Sequence, residues 1–138
     1  MLNPSVVLDT NILISAHLNP LGREYRLFQD ALDHQFRLFI SEPILLEYES
    51  VLRRPKFPIL TEKISESLRQ IRQNSTLITP SITLAVSPDE SDNRFLECAE
   101  AAGAQFLVTG NRRHFPSVWK ATRIVSTREF VESVFNAG

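Results

Sequence analysis

Short β-branched and apolar runs alternate along this chain with longer stretches in which apolar residues recur three and four apart. Val6-Val7-Leu8 reads as a strand that stops at the polar trio Asp9-Thr10-Asn11, and Ile12-Leu13-Ile14 begins a helix directly after it. Beyond the turn Asn19-Pro20-Leu21-Gly22, the spacing of Tyr25, Leu27, Phe28, Ala31 and Leu32 predicts a second helix. Arg37-Leu38-Phe39-Ile40 predicts a second strand. Ser41 is placed to cap a helix through Ile44, Leu45, Tyr48, Val51 and Leu52, which Pro55 and Pro58 break. Thr61 is placed to cap the next one, with Ile64, Leu68 and Ile71 on its buried face.

Leu77-Ile78 and Leu84-Ala85-Val86 read as short extended pieces on either side of Pro80, after which Pro88-Asp89-Glu90-Ser91 opens a helix carrying Phe95, Leu96, Ala99 and Ala102. Gly103 is its expected stop. Phe106-Leu107-Val108-Thr109 predicts a buried strand ending at Gly110-Asn111, and Arg123-Ile124-Val125 the last strand. Ser126 and Glu129 have capping-box spacing for a final helix with Phe130, Val131 and Val134. Strands alternating with helices, with neither a repeat nor a linker, predict one α/β domain over residues 1–138 with a mainly parallel sheet covered on both faces. Ligands of such sheets sit beyond the carboxyl ends of the strands, which directs attention to Asp9 and Asn111.

Composition narrows the picture. Apolar residues at 43% and charged residues at 22% fit a soluble globular protein, and a chain of 138 residues can bury a core without staples. Met1-Leu2-Asn3-Pro4 carry no basic leader and no apolar run approaches a bilayer span, so a cytoplasmic protein without a membrane partner is expected. The single cysteine, Cys98, forms neither an internal disulfide nor a Cys/His zinc site and is expected in the core. A net charge of -1 excludes a wholly basic nucleic-acid binder, so any such contact is local. Four glycines without a glycine-rich phosphate loop or a Gly-x-Ser-x-Gly elbow set aside phosphate-cradling and serine-nucleophile enzymes.

Three acids stand out from their surroundings. Asp9 follows a buried strand with no basic neighbour in sequence, where it either caps the following helix or faces a cation. Glu47 lies inside the apolar stretch Ile44-Leu45-Leu46-Glu47-Tyr48, whereas Glu42 and Glu49 sit nearer the polar arc. Asp92 is one turn beyond Asp89 and Glu90, whose place at a helix start the helix dipole already explains. Three carboxylates about 5 Å apart repel by about 3 kcal/mol per pair at an effective dielectric of 20, so convergence requires a cation. Oxygen ligands with no His or Cys close in sequence suit Mg²⁺ or Mn²⁺ better than zinc.

A hydrophobic strand followed by Asp9-Thr10-Asn11 and Ile12-Leu13-Ile14-Ser15, then Glu47, then Asp92 ahead of Phe95-Leu96, then Leu107-Val108-Thr109-Gly110, resembles the PIN-domain family over nearly the whole chain. More narrowly, the Asn19-Pro20-Leu21-Gly22 insert, the helix over 43–54 and Thr109-Gly110-Asn111 look like its bacterial toxin branch. The resemblance implies a three-layer α/β/α domain acting as a Mg²⁺- or Mn²⁺-dependent ribonuclease. In it Asp9, Glu47 and Asp92 would be catalytic and hold metal, and Thr10, Asn11 and Thr109 would support them. It further implies a cognate antitoxin and a homodimer.

One departure bears on activity. The family commonly has Asp where this chain has Asn111, and an amide oxygen ligates a hard cation more weakly than a carboxylate. A weakened or inactive scaffold that binds RNA or protein is therefore the alternative. Arg112, Arg113 and His114 follow directly and are placed either to bind RNA phosphates or to form a polar surface turn. Arg53, Arg54 and Lys56 form a second basic group, while Phe115 and Trp119 either stack bases or join the core. An aspartyl-nucleophile phosphatase would also place Asp9 after the first strand, but it needs an acid where Asn11 stands.

Overall fold

The computed structural model describes residues 3–135. The chain runs through β1 (Ser5–Leu8), α1 (Thr10–Leu18), α2 (Arg23–Leu32), β2 (Arg37–Ile40), α3 (Glu42–Leu52), α4 (Thr61–Asn74) and β3 (Thr76–Leu77). It continues through α5 (Glu90–Ala102), β4 (Phe106–Val108), a 3-10 turn at Arg112–His114, β5 (Val118–Trp119), β6 (Thr122–Val125) and α6 (Thr127–Val134). The strands form one sheet in the order β3-β2-β1-β4-β6-β5, parallel throughout except for β5 on β6. Val6 lies opposite Leu38 on one side and Phe106 on the other. Val6, Val7 and Leu8 are fully buried, as a central strand covered on both faces requires.

Side chains alternate across the sheet, which builds a core on each face. On one face α5 packs over β1, β2 and β4, with the Phe95 ring 6.1 Å from that of Tyr48 on α3. On the other, Phe130 of α6 meets Phe36 and Phe106 edge-on, each at 5.2 Å between ring centres. This is the three-layer α/β/α arrangement that the alternating pattern predicts. Cys98 is buried in the core, where burial pushes its thiol up to about 12. Among the described residues no helix is long and apolar enough to cross a membrane.

Local chemistry explains most element boundaries. Ser41 Oγ accepts from the Ile44 N–H, Ser126 and Glu129 close a reciprocal capping box, and Gly103 ends α5 with φ +61°, a conformation a side chain would oppose. Two expectations need correction, and one strand is new. Thr61 is not the cap of α4 but its first helical residue; Leu60 holds the cap position and offers no side-chain acceptor. Residues 84–86 form no strand, because the Leu84 and Val86 N–H groups donate to Glu97 and Asn93 side chains on α5 instead of to a neighbouring strand. β5 went unforeseen because its two-residue turn, Lys120-Ala121, lacks Gly or Asn although Lys120 takes φ 53°.

The connections from β1 to β2 and β3 build the sheet in one direction, and β4 to β6 builds it in the other. The direction reverses between β1 and β4. A crevice outside the carboxyl ends of the strands is expected at such a reversal. Asp9 and Thr109 each lie one residue past those two strands.

Candidate active site

Asp9 is held at the reversal by both of its oxygens. Oδ1 accepts from the Thr10 N–H at 2.7 Å, so Asp9 does cap α1, and Oδ2 accepts from the Thr109 hydroxyl at 2.7 Å. The same Thr109 oxygen accepts from the Asn111 N–H at 2.9 Å, and Asn11 Oδ1 accepts from the Gly110 N–H at 3.1 Å. Four polar groups thus lace the loop after β1 to the loop after β4. The side-chain amide of Asn111 is exposed and makes no hydrogen bond among the described residues.

Glu47 enters from α3, which Tyr48 fixes. Tyr48 is fully buried, and its hydroxyl donates to the Leu8 carbonyl at 2.6 Å, tying α3 to the end of β1. Glu47 is half-buried beside it and its charge acts on Asp9. Glu42 and Glu49 are engaged on the surface with Arg72 and Arg53.

Asp92 sits in the first turn of α5, only 6% exposed. Its Oδ2 accepts from Ser87 Oγ at 3.3 Å, and Ser87 belongs to a strap, residues 78–87, that α5 holds from below. Fully buried Asn93 accepts from the Val86 and Ser87 N–H groups and donates to the Ser87 carbonyl. Glu97 accepts from the Leu84 N–H at 2.7 Å and from Arg94.

Burial pushes the Asp9 carboxyl above its ordinary value, against the pull of the Thr109 and Thr10 hydrogen bonds, and the Glu47 charge adds to the rise. Burial likewise pushes Asp92 up to about 6, with the charges of Asp9 and Asp89 adding and Ser87 and His114 opposing. Among the described residues no Lys or Arg pairs with Asp9 or Asp92. His114 Nδ1 lies 3.5 Å from Asp92 Oδ2, and one donor atom each from Asp89, Asp92 and His114 lie within 4.8 Å of one another. The buried hydroxyl of Thr10, next to Asp9, has no hydrogen-bond partner. Crowded, uncompensated carboxylates and an orphaned hydroxyl are a donor set that fits a divalent cation.

Glu47 and Asp92 therefore each lie within electrostatic reach of Asp9, and Thr10, Asn11, Thr109 and Asn111 belong to the hydrogen-bonded loops around Asp9. Among the described residues the group of metal-ligating atoms that lies within 4.8 Å is Asp89, Asp92 and His114, and neither Asp9 nor Glu47 belongs to it. The expectation of no nearby histidine is corrected: the 3-10 turn after Asn111 folds His114 back toward α5. Arg112 is committed to Glu129 at 3.0 Å, whereas Arg113 is exposed and unpaired among the described residues. Phe115 is buried in the core, and Trp119 is half-buried against it, donates to Glu100 at 2.8 Å and has Lys120 Nζ over its ring at 5.4 Å. Sequence reasoning passed over Tyr48, Ser87 and Asn93. A fully apolar helix face gives no sign that one of its members reaches a strand carbonyl.

A profile of the family described as "PIN domain" matches residues 5–113. The uncharacterized protein MJ1680 of Methanocaldococcus jannaschii is 29% identical over 110 residues, covering 78% of this chain and 70% of that protein. Among solved structures, the T. brucei RRP44 PIN domain aligns with a TM-score of 0.58 at 11% identity, covering 99% of this chain and 83% of that one. A chain of VapBC2 from Rickettsia felis, solved with a DNA fragment from its promoter, aligns with a TM-score of 0.57 at 19% identity, covering 87% and 98%. PIN domains are typically nucleases and generally use divalent metals. With its strand order, its Asp9 at the sheet reversal and a profile match over most of its length, this chain belongs to the PIN domain family.

Proposed function

We propose that residues 1–138 form a single-domain, Mg²⁺- or Mn²⁺-dependent endoribonuclease in which Asp9, Glu47 and Asp92 hold the cation and carry catalysis. The observation that carries the reading is Asp9 itself: a carboxylate 6% exposed, aimed by two hydrogen bonds, with two further acids in electrostatic reach and, among the described residues, no Lys or Arg paired with it. When bound, the divalent ion supplies charge neutralisation of the phosphate and activation of the attacking water. The protein's part is positioning. Thr109 and the Thr10 N–H fix the Asp9 carboxylate, Tyr48 fixes the helix that brings Glu47, and Ser87 orients Asp92. Arg113 is free to engage a phosphate of the RNA strand, and Asn111 offers a neutral oxygen at the rim.

The toxin component of a toxin-antitoxin system is the biological role within this reading, with a cognate antitoxin and a homodimer as its partners. Its support is the sequence resemblance to the toxin branch, and the fold shared with a chain of VapBC2 is in keeping with it. A second reading has its own observation. Asn111, exposed and without a charge, stands where relatives commonly place an acid, which favours a weakened or inactive scaffold that binds RNA or protein.

The test is cleavage of a mixed RNA pool by the purified chain with Mg²⁺, Mn²⁺ or EDTA, alongside Asp9→Asn and Asn111→Asp. Metal-dependent cuts that vanish in Asp9→Asn are expected. No cutting by the wild type, restored by Asn111→Asp, would replace the enzyme reading with the disabled scaffold; cutting retained in Asp9→Asn would overturn the site.

A further inference from the structure

We infer that His114 is a nitrogen ligand of the cation seated at Asp92, so that the site selects first-row transition ions over Mg²⁺. This rests on the reading of Asp9, Glu47 and Asp92 as a metal-holding site and concerns which ion that site prefers.

Three observations converge. First, His114 Nδ1 stands 3.5 Å from Asp92 Oδ2, too long for a good hydrogen bond between the two. The separation suits two donors sharing one ion: bonds of about 2.1 Å place neighbouring ligands about 3 Å apart and opposite ones about 4 Å apart. Asp89 completes a three-donor group within 4.8 Å. Second, the Asp92 carboxylate is nine-tenths buried and only half used. Ser87 and His114 both approach Oδ2, and no hydrogen bond among the described residues reaches Oδ1. Asp89, which is exposed, also uses one oxygen: Oδ1 caps α5 through Ser91, and no hydrogen bond among the described residues reaches Oδ2. Third, the backbone presents the imidazole deliberately. The His114 N–H donates to the Asn111 carbonyl at 3.0 Å, closing the 3-10 turn, and the Arg112–Glu129 ion pair anchors that turn to α6.

Imidazole nitrogen changes the metal preference. Mg²⁺ favours an all-oxygen shell and gains little from nitrogen, whereas affinity of a mixed nitrogen and oxygen site rises from Mn²⁺ through Co²⁺.

The experiment is metal binding by the intact chain, independent of cleavage. Co²⁺ is titrated by visible absorption and paramagnetic proton NMR, and Mg²⁺ by its competition, in the wild type, His114→Ala, His114→Asp and Asp9→Asn. Expected are a contact-shifted imidazole N–H resonance in the wild type that is lost in His114→Ala, and a Co²⁺ affinity weakened about tenfold or more there while Mg²⁺ changes little. His114→Asp should swing the preference toward Mg²⁺. A resonance that survives in His114→Ala, equal losses for both ions, or no Co²⁺ binding by the wild type would overturn the inference. Asp9→Asn separates the two readings. If it abolishes both ions while His114→Ala leaves their ratio intact, the acidic site stands and the histidine ligand falls; if it leaves both ions bound, the acidic site itself falls.

Discussion

The Thr109 hydroxyl donates to Asp9 Oδ2 at 2.7 Å, joining residues one hundred positions apart across the point where the sheet reverses direction. Thr109 is fully buried, and its oxygen also receives the Asn111 N–H. One hydroxyl therefore sets both the orientation of a buried acid and the course of the loop beside it.

Thr109→Val keeps the shape but removes both interactions. A loss of about 1–3 kcal/mol is expected from the buried groups left unpaired, with cleavage falling further than folding explains, and Thr109→Ser should recover most of the activity. Urea unfolding and cleavage rates of the two variants check this; equal activity of Thr109→Val and wild type would contradict it.

Asp9→Asn removes the charge at nearly constant shape. On the proposed reading, in which Asp9 holds the cation, cleavage should fall at least about a hundredfold, while the circular dichroism spectrum stays that of the wild type.

Asp92 makes stability depend on pH. Its carboxyl is raised in the folded state to about 6, from 3.8, so the folded chain holds this proton more tightly than the unfolded one. The metal-free protein should have its full contribution below about pH 4 and lose it as the pH rises through about 6. Asp92→Asn should accordingly raise stability at pH 8 by about 1–2 kcal/mol and make no difference at pH 4. Melting curves with EDTA at both pH values decide it, and a saturating divalent ion should erase the wild type's disadvantage.

Tyr48→Phe tests the anchor of α3. Removing the hydroxyl strands the buried Leu8 carbonyl, so a loss of about 1–3 kcal/mol is expected. Metal affinity should weaken too, because Glu47 loses its fixed helix; calorimetric titration of Mn²⁺ at a temperature where the variant is fully folded separates the two effects.

The two arginines after Asn111 should behave differently. Arg113→Ala should weaken binding of a non-cleaved single-stranded RNA and reduce its salt slope by about 0.7, as one phosphate contact would. Arg112→Ala breaks an exposed ion pair with Glu129 and should change stability by less than about 1 kcal/mol.

How much of this was legible from residues alone depended on the kind of bond involved. Periodicity marked the strands and helices because burial repeats along them, and it singled out Glu47 as a charge within an apolar helix face. Asp9 stood out at the end of a buried strand. Periodicity carries no signal for side chains that satisfy backbone groups. Asn93 and Glu97 take the N–H groups of Leu84, Val86 and Ser87, so a run that looks like a strand becomes a strap. His114 was misjudged for a similar reason: a three-residue turn has no repeat from which its direction can be read, so its return to Asp92 shows only in space.

The separation of Asp9 from Thr109 also orders events during synthesis. β1 is made first but stays without its β4 neighbour, and Asp9 without its second hydrogen bond, until the ribosome has passed residue 109. Glu47 and Asp92 are already made by then, but the pairing at the centre of the sheet that fixes Asp9 through Thr109 closes only afterwards. On the proposed reading, a chain truncated before β4 should thus carry every acid and still lack cutting activity, which would arise only once residue 109 is in place.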